Sequence, residues 1–179
     1  EFRRVLFRSK LQELGVEVES SRSLGYRLAS PIELLDAGTI SRVASELLRH
    51  PSPHIEVLQQ VGSTNQLLLE RARAGASTGL SVLLAEQQTH GRGRRGRTWL
   101  SPFGRNLYMS LLWNTDRGVQ GLEGLSLAVG VAVAKALATT VSVPVSLKWP
   151  NDILINDAKL GGILIEVDGD LSGPLSVVI

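Results

Sequence analysis

Apolar positions recur at helical spacing in some stretches of this chain and alternate with polar ones in others. Ile40, Val43, Ala44, Leu47 and Leu48 share one face of a helix predicted over Thr39–Arg49. Ser63 followed by Gln66 is a capping-box pattern opening a second helix, and Gly75 supplies its stop. Gly121–Thr140, rich in Ala, Val and Leu, predicts the longest helix, buried on most sides. Near the start, Lys10–Leu14 reads as a helix end capped by Gly15. Val16 and Val18 then alternate with acids, Ser20–Ser23 turn, and Gly25–Leu28 return as a small β-hairpin. Further strands are predicted over His54–Val61, Leu80–Glu86, Asn106–Trp113 and Val143–Trp149, the last ended by Pro150. Ile153–Ile155, the turn Asn156-Asp157 and Leu160–Val167 form another hairpin, after which Asp168-Gly169 turns toward a last apolar run, Leu175–Ile179. Residues 1–9 carry no useful period and stay unassigned. Strands outnumber helices and several follow one another tightly, which predicts an α+β fold: a mixed, largely antiparallel sheet with helices on it.

Composition narrows the picture. Hydrophobic residues make up 43% of the 179, enough to fill a core, so disorder is excluded. No apolar run reaches the roughly 18 residues of a membrane span, because Leu122–Leu137 is interrupted by Gly124, Ser126, Gly130 and Lys135; no membrane partner is expected. The chain has no cysteine, which removes thiol nucleophiles and disulfides and fits a reducing, cytoplasmic setting. Three histidines without regular spacing predict no metal site. The net charge is only +2, so placement matters more than balance: Arg92, Arg94, Arg95 and Arg97 fall within six positions. The chain opens without Met and stops inside an apolar run, so it reads as truncated at both ends.

Gly91 to Arg97 (GRGRRGR) is the informative segment. Taken literally it satisfies the dinucleotide pattern G-x-G-x-x-G, but that fingerprint requires a helix immediately afterwards. Pro102 and Gly104 deny one here. Nor is it a phosphate-binding Walker loop, since no Gly-Lys-Ser/Thr follows. Glycines let backbone N–H groups approach a ligand closely, and each guanidinium offers a planar fork to phosphate or carboxylate oxygens. The arginines repel one another, so the loop is expected to be mobile until an anion arrives, as a lid over a nucleotide or acyl phosphate would be. A solvated basic loop, or a nonspecific nucleic-acid contact, is the plainer alternative.

Gln88-Thr89-His90-Gly91 through Trp99, then Ser101-Pro102-Phe103-Gly104 and Asn106-Leu107-Tyr108, closely resembles the signature of biotin–protein ligases. Two more segments stand in that family's order: Ser63-Thr64-Asn65 at a strand-to-helix junction, and Lys148-Trp149-Pro150-Asn151-Asp152 ahead of Lys159-Leu160-Gly161-Gly162-Ile163-Leu164. Upstream, Leu11–Pro31 resembles the recognition-helix end and wing of the winged-helix domain carried by bifunctional members, the biotin operon repressors. The resemblance therefore implies two parts. Residues 1–30 would be a winged-helix remnant, with 1–9 unassigned. Residues 31–179 would be a catalytic domain like the core of class II aminoacyl-tRNA synthetases, incomplete at its C-terminus.

The implied reaction is an ATP-dependent, AMP-forming ligation. Biotin and MgATP give biotinyl-5′-adenylate and pyrophosphate, and the acyl group then passes to a lysine of a biotin carboxyl carrier domain of a carboxylase. Mg²⁺ is implied with the nucleotide. By resemblance, Lys159, Lys148 and Arg94 are the catalytic candidates: Lys159 near the reacting acyl oxygen, Lys148 facing phosphate and Arg94 holding the adenylate. Biotin contacts are implied for Ser63, Thr64, Asn65, Gln88, Gly91, Arg92, Gly93, Arg94, Arg95, Lys159 and Gly162. Adenylate or ATP contacts are implied for Arg92, Arg94, Arg95, Trp99, Lys148 and Asn151. A homodimer is also allowed by the resemblance, and operator DNA would be a partner of the full-length parent only.

Each residue also has a plainer reading. Ser63 and Gln66 could simply cap a helix, and Trp113 and Trp149 read as core rather than ligand contacts. Lys159 beside a turn would ordinarily be solvated. Asn151 and Asp152 could be turn residues, or Asp152 could orient a cation or bind magnesium. Two other functions stay open: a lipoate-type ligase, which shares fold and adenylation chemistry, and a DNA-binding regulator with a ligase-like biotin-sensing domain. Gly62 departs from the family, which commonly has an acid there, and the chain ends before the family's Gly-x-Gly-x-Asn segment and small C-terminal barrel.

Overall fold

The computed structural model describes residues 9–21, 25–48, 52–76 and 79–179. The chain divides into two compact units: Glu1–Thr64 with Val82–Gly91 and Thr98–Met109, and Asn65–Ser81 with Arg92–Arg97 and Ser110–Ile179.

In the first unit, helix α1 (residues 9–13) ends as the sequence predicts. Gly15 takes φ 75°, the Val16 N–H donates to the Leu11 carbonyl (2.8 Å) and the Gly15 N–H to that of Gln12 (2.9 Å). This paired closure is open to glycine because no Cβ opposes the left-handed turn. Strands β1 (Val18–Ser21) and β2 (Gly25–Leu28) follow as the predicted antiparallel hairpin, with Val18 opposite Leu28 and Arg27 paired to Glu19 at 2.6 Å. Part of its predicted turn, Arg22 and Ser23, lies outside the described residues.

Helix α2 (Ala37–Leu47) starts two residues earlier than periodicity predicts, because Asp36 caps it by accepting the Thr39 N–H at 2.7 Å. Hydrogen bonds from Thr39 hold the Asp36 carboxyl below its ordinary range. At the other end Leu48 is already extended, and Arg49 lies outside the described residues. Strand β3 (His54–Leu58) is shorter than predicted, yet its parallel pairing with β4 (Ser81–Ala85) runs on beyond it. Val61 and Gln88 form a parallel bridge, and the N–H groups of Val61, Thr89 and His90 all donate across it.

Leu83, Leu84 and Ala85 are buried, and so is Glu86, whose carboxylate accepts the Leu35 N–H. The buried Tyr108 hydroxyl donates to the Pro102 carbonyl and accepts from the Asn106 amide, both at 2.9 Å. Burial pushes this phenol above its ordinary range, so it remains a donor at neutral pH. Tyr108→Phe should lower stability by about 1 kcal/mol, as urea unfolding would measure, because both partners lose their bond.

The second unit holds two sheets. In the first, β5 (Tyr108–Thr115, from Ser110 on), β10 (Leu175–Val178) and β9 (Glu166–Gly169) pair antiparallel in the order β5-β10-β9. Leu112, Leu175, Val177 and Val178 are buried on it, and helix α3 (Thr64–Arg73) adds Leu68 and Leu69 to the buried set. The other sheet orders β6 (Val145–Lys148), β7 (Asp152–Ile155) and β8 (Ala158–Gly162), all antiparallel. Asn156 and Asp157 turn between β7 and β8 with φ 49° and 61°, the twist a two-residue hairpin loop demands. The fold is thus α+β, with the parallel bridge at Val61 and Gln88 and antiparallel pairing in the β1–β2 hairpin and in both sheets of the second unit.

Three expectations need correction. Leu160–Val167 is not one strand: β8 stops at Gly162, and the chain joins a different sheet at Glu166. Continuous apolarity records burial and cannot reveal a change of sheet. The long helix is shorter and barer than predicted. Val119–Leu122 is a 3-10 turn, Gly124 is left-handed, and helix α4 covers only Leu125–Ala138. Only Gly130 is buried on α4, against Leu147 and Ile163, while Leu127 and Val131 are both 44% exposed.

Finally, Val119–Ala138 has 20 residues of mean hydropathy 1.5, so by length and composition it could cross a membrane, contrary to the reading of interrupted runs. Its one continuous α-helical part, 14 residues, spans only about 21 Å, short of a hydrocarbon core of roughly 30 Å.

Candidate functional site

In the first unit, the end of β3's pairing with β4 delivers three predicted residues to one place. Ser63 and Thr64 are buried at the start of α3. The Gln88 carboxamide oxygen accepts from the Thr64 N–H (2.9 Å) and its hydroxyl (3.0 Å). The Gln88 amide donates to Ser101 Oγ at 3.3 Å, and Ser101 Oγ in turn donates to the Trp99 carbonyl at 3.2 Å. Gly91 closes this ring by accepting the Trp99 N–H at 2.8 Å. A side chain at Gly91 would collide with the Trp99 carbonyl oxygen and lie 2.6 Å from Ser101 Oγ, so the position admits only glycine. Gly91→Ala should therefore push residues 98–101 aside and reduce activity at least about tenfold with the protein still folded, the scale of a misplaced catalytic group; circular dichroism alongside the assay checks it.

The second unit gathers the cations. Arg92 Nη2 donates to Glu166 Oε2 at 2.9 Å. Arg94 Nη1 donates to Asn151 Oδ1 at 3.1 Å, while the Asn151 amide donates to the Ile163 carbonyl at 2.9 Å. Lys159 Nζ lies 2.7 Å from Asp152 Oδ1, and Lys148 stands opposite Asp152 in the β6–β7 register. Two cations thus attach to the neighbouring pair Asn151-Asp152, and a third, Lys148, sits across the strand pair from Asp152. Asp152, read in the sequence as a turn residue, a cation-orienting acid or a magnesium ligand, is paired with Lys159. Gly162 faces Asp152 from β8.

Residues 94–96 make a single 3-10 turn in which Arg95 holds φ 58°, and Gly93 is closed onto the Arg97 carbonyl at 2.7 Å. No helix follows the loop, which removes the dinucleotide reading. Arg92 and Arg94, two of its four arginines, have protein acceptors, a carboxylate for the first and a neutral amide oxygen for the second.

Asn65 is buried, and its amide donates to the Leu164 carbonyl (3.3 Å) and to Glu166 Oε2 (3.0 Å). Its oxygen accepts from the Ser110 hydroxyl. Trp149, expected in the core, is 78% exposed, because it lies just past the end of β6, an edge strand whose residues are mostly exposed. Sequence reasoning missed Glu166 and Ser101. An acid inside the apolar run Ile163–Val167 was the available sign of Glu166; Ser101 stood inside the resembling segment Ser101–Gly104 but was given no role of its own. Among the described residues no group of three or more His, Asp or Glu could hold a metal ion, and Asp152 is committed to Lys159, so the residues present form no resident metal cage.

Residues 57–178 match the Biotin/lipoate A/B protein ligase family. The chain is 42% identical over 169 residues to the bifunctional ligase/repressor BirA of Salmonella typhimurium, covering 94% of this chain and 50% of that protein. It is 45% identical over 117 residues to the biotin–[acetyl-CoA-carboxylase] ligase of Mycobacterium tuberculosis, covering 63% of this chain and 44% of the other. Among solved structures, the biotin protein ligase of Leishmania major is similar both with biotin (TM-score 0.56, 34% identity, 71% of this chain and 56% of that one) and with biotinyl-5-AMP (TM-score 0.54, 33% identity, 71% and 57%). The chain spans about half the length of the curated relatives it matches.

Proposed function

The chain belongs to the Biotin/lipoate A/B protein ligase family, and we propose that within it the protein activates biotin with ATP and transfers it to a lysine of a biotin carboxyl carrier domain. The observation that carries this reading is the attachment of Arg94 to Asn151 and of Lys159 to Asp152, with Lys148 opposite Asp152 in the β6–β7 register. Adenylation brings two anions together. The biotin carboxylate oxygen attacks the α-phosphorus, the bond to pyrophosphate breaks, and negative charge grows on the bridging oxygens. Cations already fixed there stabilise that charge more than they stabilise the separate reactants. In the second step a carrier lysine amine attacks the acyl carbon and AMP leaves.

The hydrogen bonds of Thr64, Gln88 and Ser101, with Ser63 buried next to Thr64 in sequence, support a role in holding an uncharged polar head such as a ureido group, since fixed short donors and acceptors suit it. Gly91, Arg92, Gly93 and Arg95 belong to the same segment of chain, and Trp99 supplies a flat apolar ring suited to contact with a nucleotide. In this reading Lys148 faces phosphate, and Gly162 lets the backbone approach the acyl group. Mg²⁺ enters only with the nucleotide, as part of the substrate. The acceptor belongs to a carboxylase and the setting is the cytoplasm.

Helix α1 followed by the β1–β2 hairpin, together with relatives named as ligase/repressors, supports a winged-helix remnant in residues 1–30, leaving 31–179 to the ligase. Operator DNA and a second copy would then be partners of a longer parent. The deciding experiment is biotin-dependent ATP–pyrophosphate exchange, paired with labelling of a carrier domain. Exchange and labelling by biotin but not lipoate support the proposal. Labelling by lipoate alone makes the protein a lipoate-type ligase, and biotin binding without exchange makes it a sensor.

A further inference from the structure

Among the described residues, Glu166 is the acid that joins the arginine–glycine loop to the buried part of the second unit. Its Oε2 accepts from Arg92 Nη2 at 2.9 Å and from the Asn65 amide at 3.0 Å. Asn65 is itself braced by the Leu164 carbonyl and by Ser110, a hydroxyl residue only 1% exposed. A continuous path therefore runs from a buried serine through an amide and a carboxylate to a guanidinium.

We infer that Glu166 is a positioning residue: it holds Arg92 in one orientation so that the guanidinium meets the acyl or phosphate oxygens of the substrate already aimed. The inference rests on the adenylation reading above. The Arg92–Glu166 pair is partly exposed, with side chains 38% and 24% accessible, and pairs of that kind contribute little to stability. Its worth lies in orientation. A guanidinium has five N–H donors in a rigid fork. One of them goes to Glu166, which fixes the plane and leaves the others for a ligand anion. Fixing a long side chain beforehand removes an ordering cost that binding would otherwise carry.

The carboxylate also answers the crowding of charge. Arg92, Arg94, Arg95 and Arg97 lie within six residues, and Glu166 places a negative charge against the first of them. Asn65 completes the device from the other side. Both its amide hydrogens are directed at protein acceptors, so its part is to brace Glu166.

Preorganisation of this kind acts on ground state and transition state alike, so its loss appears in KM rather than in kcat. Exchange assays on the full chain should give Glu166→Ala a biotin KM about tenfold higher with kcat within twofold, and Glu166→Gln about threefold, since the amide keeps shape and an acceptor. In an Arg92→Ala background, Glu166→Ala should change KM less than twofold. Hydrogen exchange by mass spectrometry should show residues 92–97 exchanging faster in Glu166→Ala, with β10 unchanged. Full additivity of the two substitutions, a loss confined to kcat, or unaltered exchange in residues 92–97 would each overturn the inference. If the unaltered protein shows no biotin-dependent exchange at all, the functional reading fails, and the hydrogen-exchange arm still decides whether Glu166 holds the loop.

Discussion

Lys159→Ala should lower kcat for biotin-dependent ATP–pyrophosphate exchange by about 10²–10³-fold, while Lys135→Ala stays within twofold. The first figure is the loss found when one preorganised group facing developing charge is removed, roughly 2.7–4 kcal/mol. Lys159 is fixed on β8 with its ammonium 2.7 Å from Asp152, so it need not be gathered from solvent when the substrates arrive. Lys135 has the same charge on the exposed side of α4, in the last turn of that helix. The pair of variants therefore separates position from charge. Because the Lys159–Asp152 pair is partly exposed, its removal should cost stability no more than about 1 kcal/mol. A melting curve close to that of the parent protein would exclude unfolding as the cause of lost rate. Equal effects of the two substitutions would count against the assignment.

The second large effect concerns retention of the intermediate. Arg94→Gly should raise the release rate of biotinyl-5′-adenylate by about 10–100-fold, since a hydrogen bond to a charged group is worth about 1.5–3 kcal/mol. Arg94 is aimed by Asn151, which is itself tied to Ile163 through both its side-chain amide and its backbone carbonyl. Glycine removes the guanidinium and frees the backbone of the 94–96 turn as well. The escaped mixed anhydride would acylate lysines of bystander proteins without regard to sequence, which an avidin blot reads directly. Unchanged labelling of bystanders would mean that the loop does not hold the adenylate.

How legible this was depended on how local each feature is. The Asn156-Asp157 turn, the capped end at Gly15 and the β1–β2 pairing each rest on residues close in sequence whose conformational preferences agree. The arginine–glycine loop was conspicuous for the same reason: its chemistry is contiguous. Boundaries were less secure, because the cap at Asp36 and the left-handed Gly124 moved two helix starts that periodicity alone could not place.

Failures occurred where tertiary structure decides. The split of Leu160–Val167 between two sheets and the exposure of Trp149 depend on what covers a strand, which an apolar pattern does not record. Glu166 was hidden because its two partners lie 101 and 74 residues away, at Asn65 and Arg92. Ser63, Thr64 and Gln88 were identified by motif, but their joining through a parallel bridge at Val61 and Gln88 is visible only in the fold.

The bare indole of Trp149 gives the protein a built-in optical gauge. Trp99 and Trp113 are half-buried, so long-wavelength emission and ready quenching by acrylamide would come mainly from Trp149, two residues from the Asn151 that holds Arg94. A titration with nucleotide or acid could then be followed in a cuvette without any attached dye, each spectral shift reporting a change in the water around that single ring.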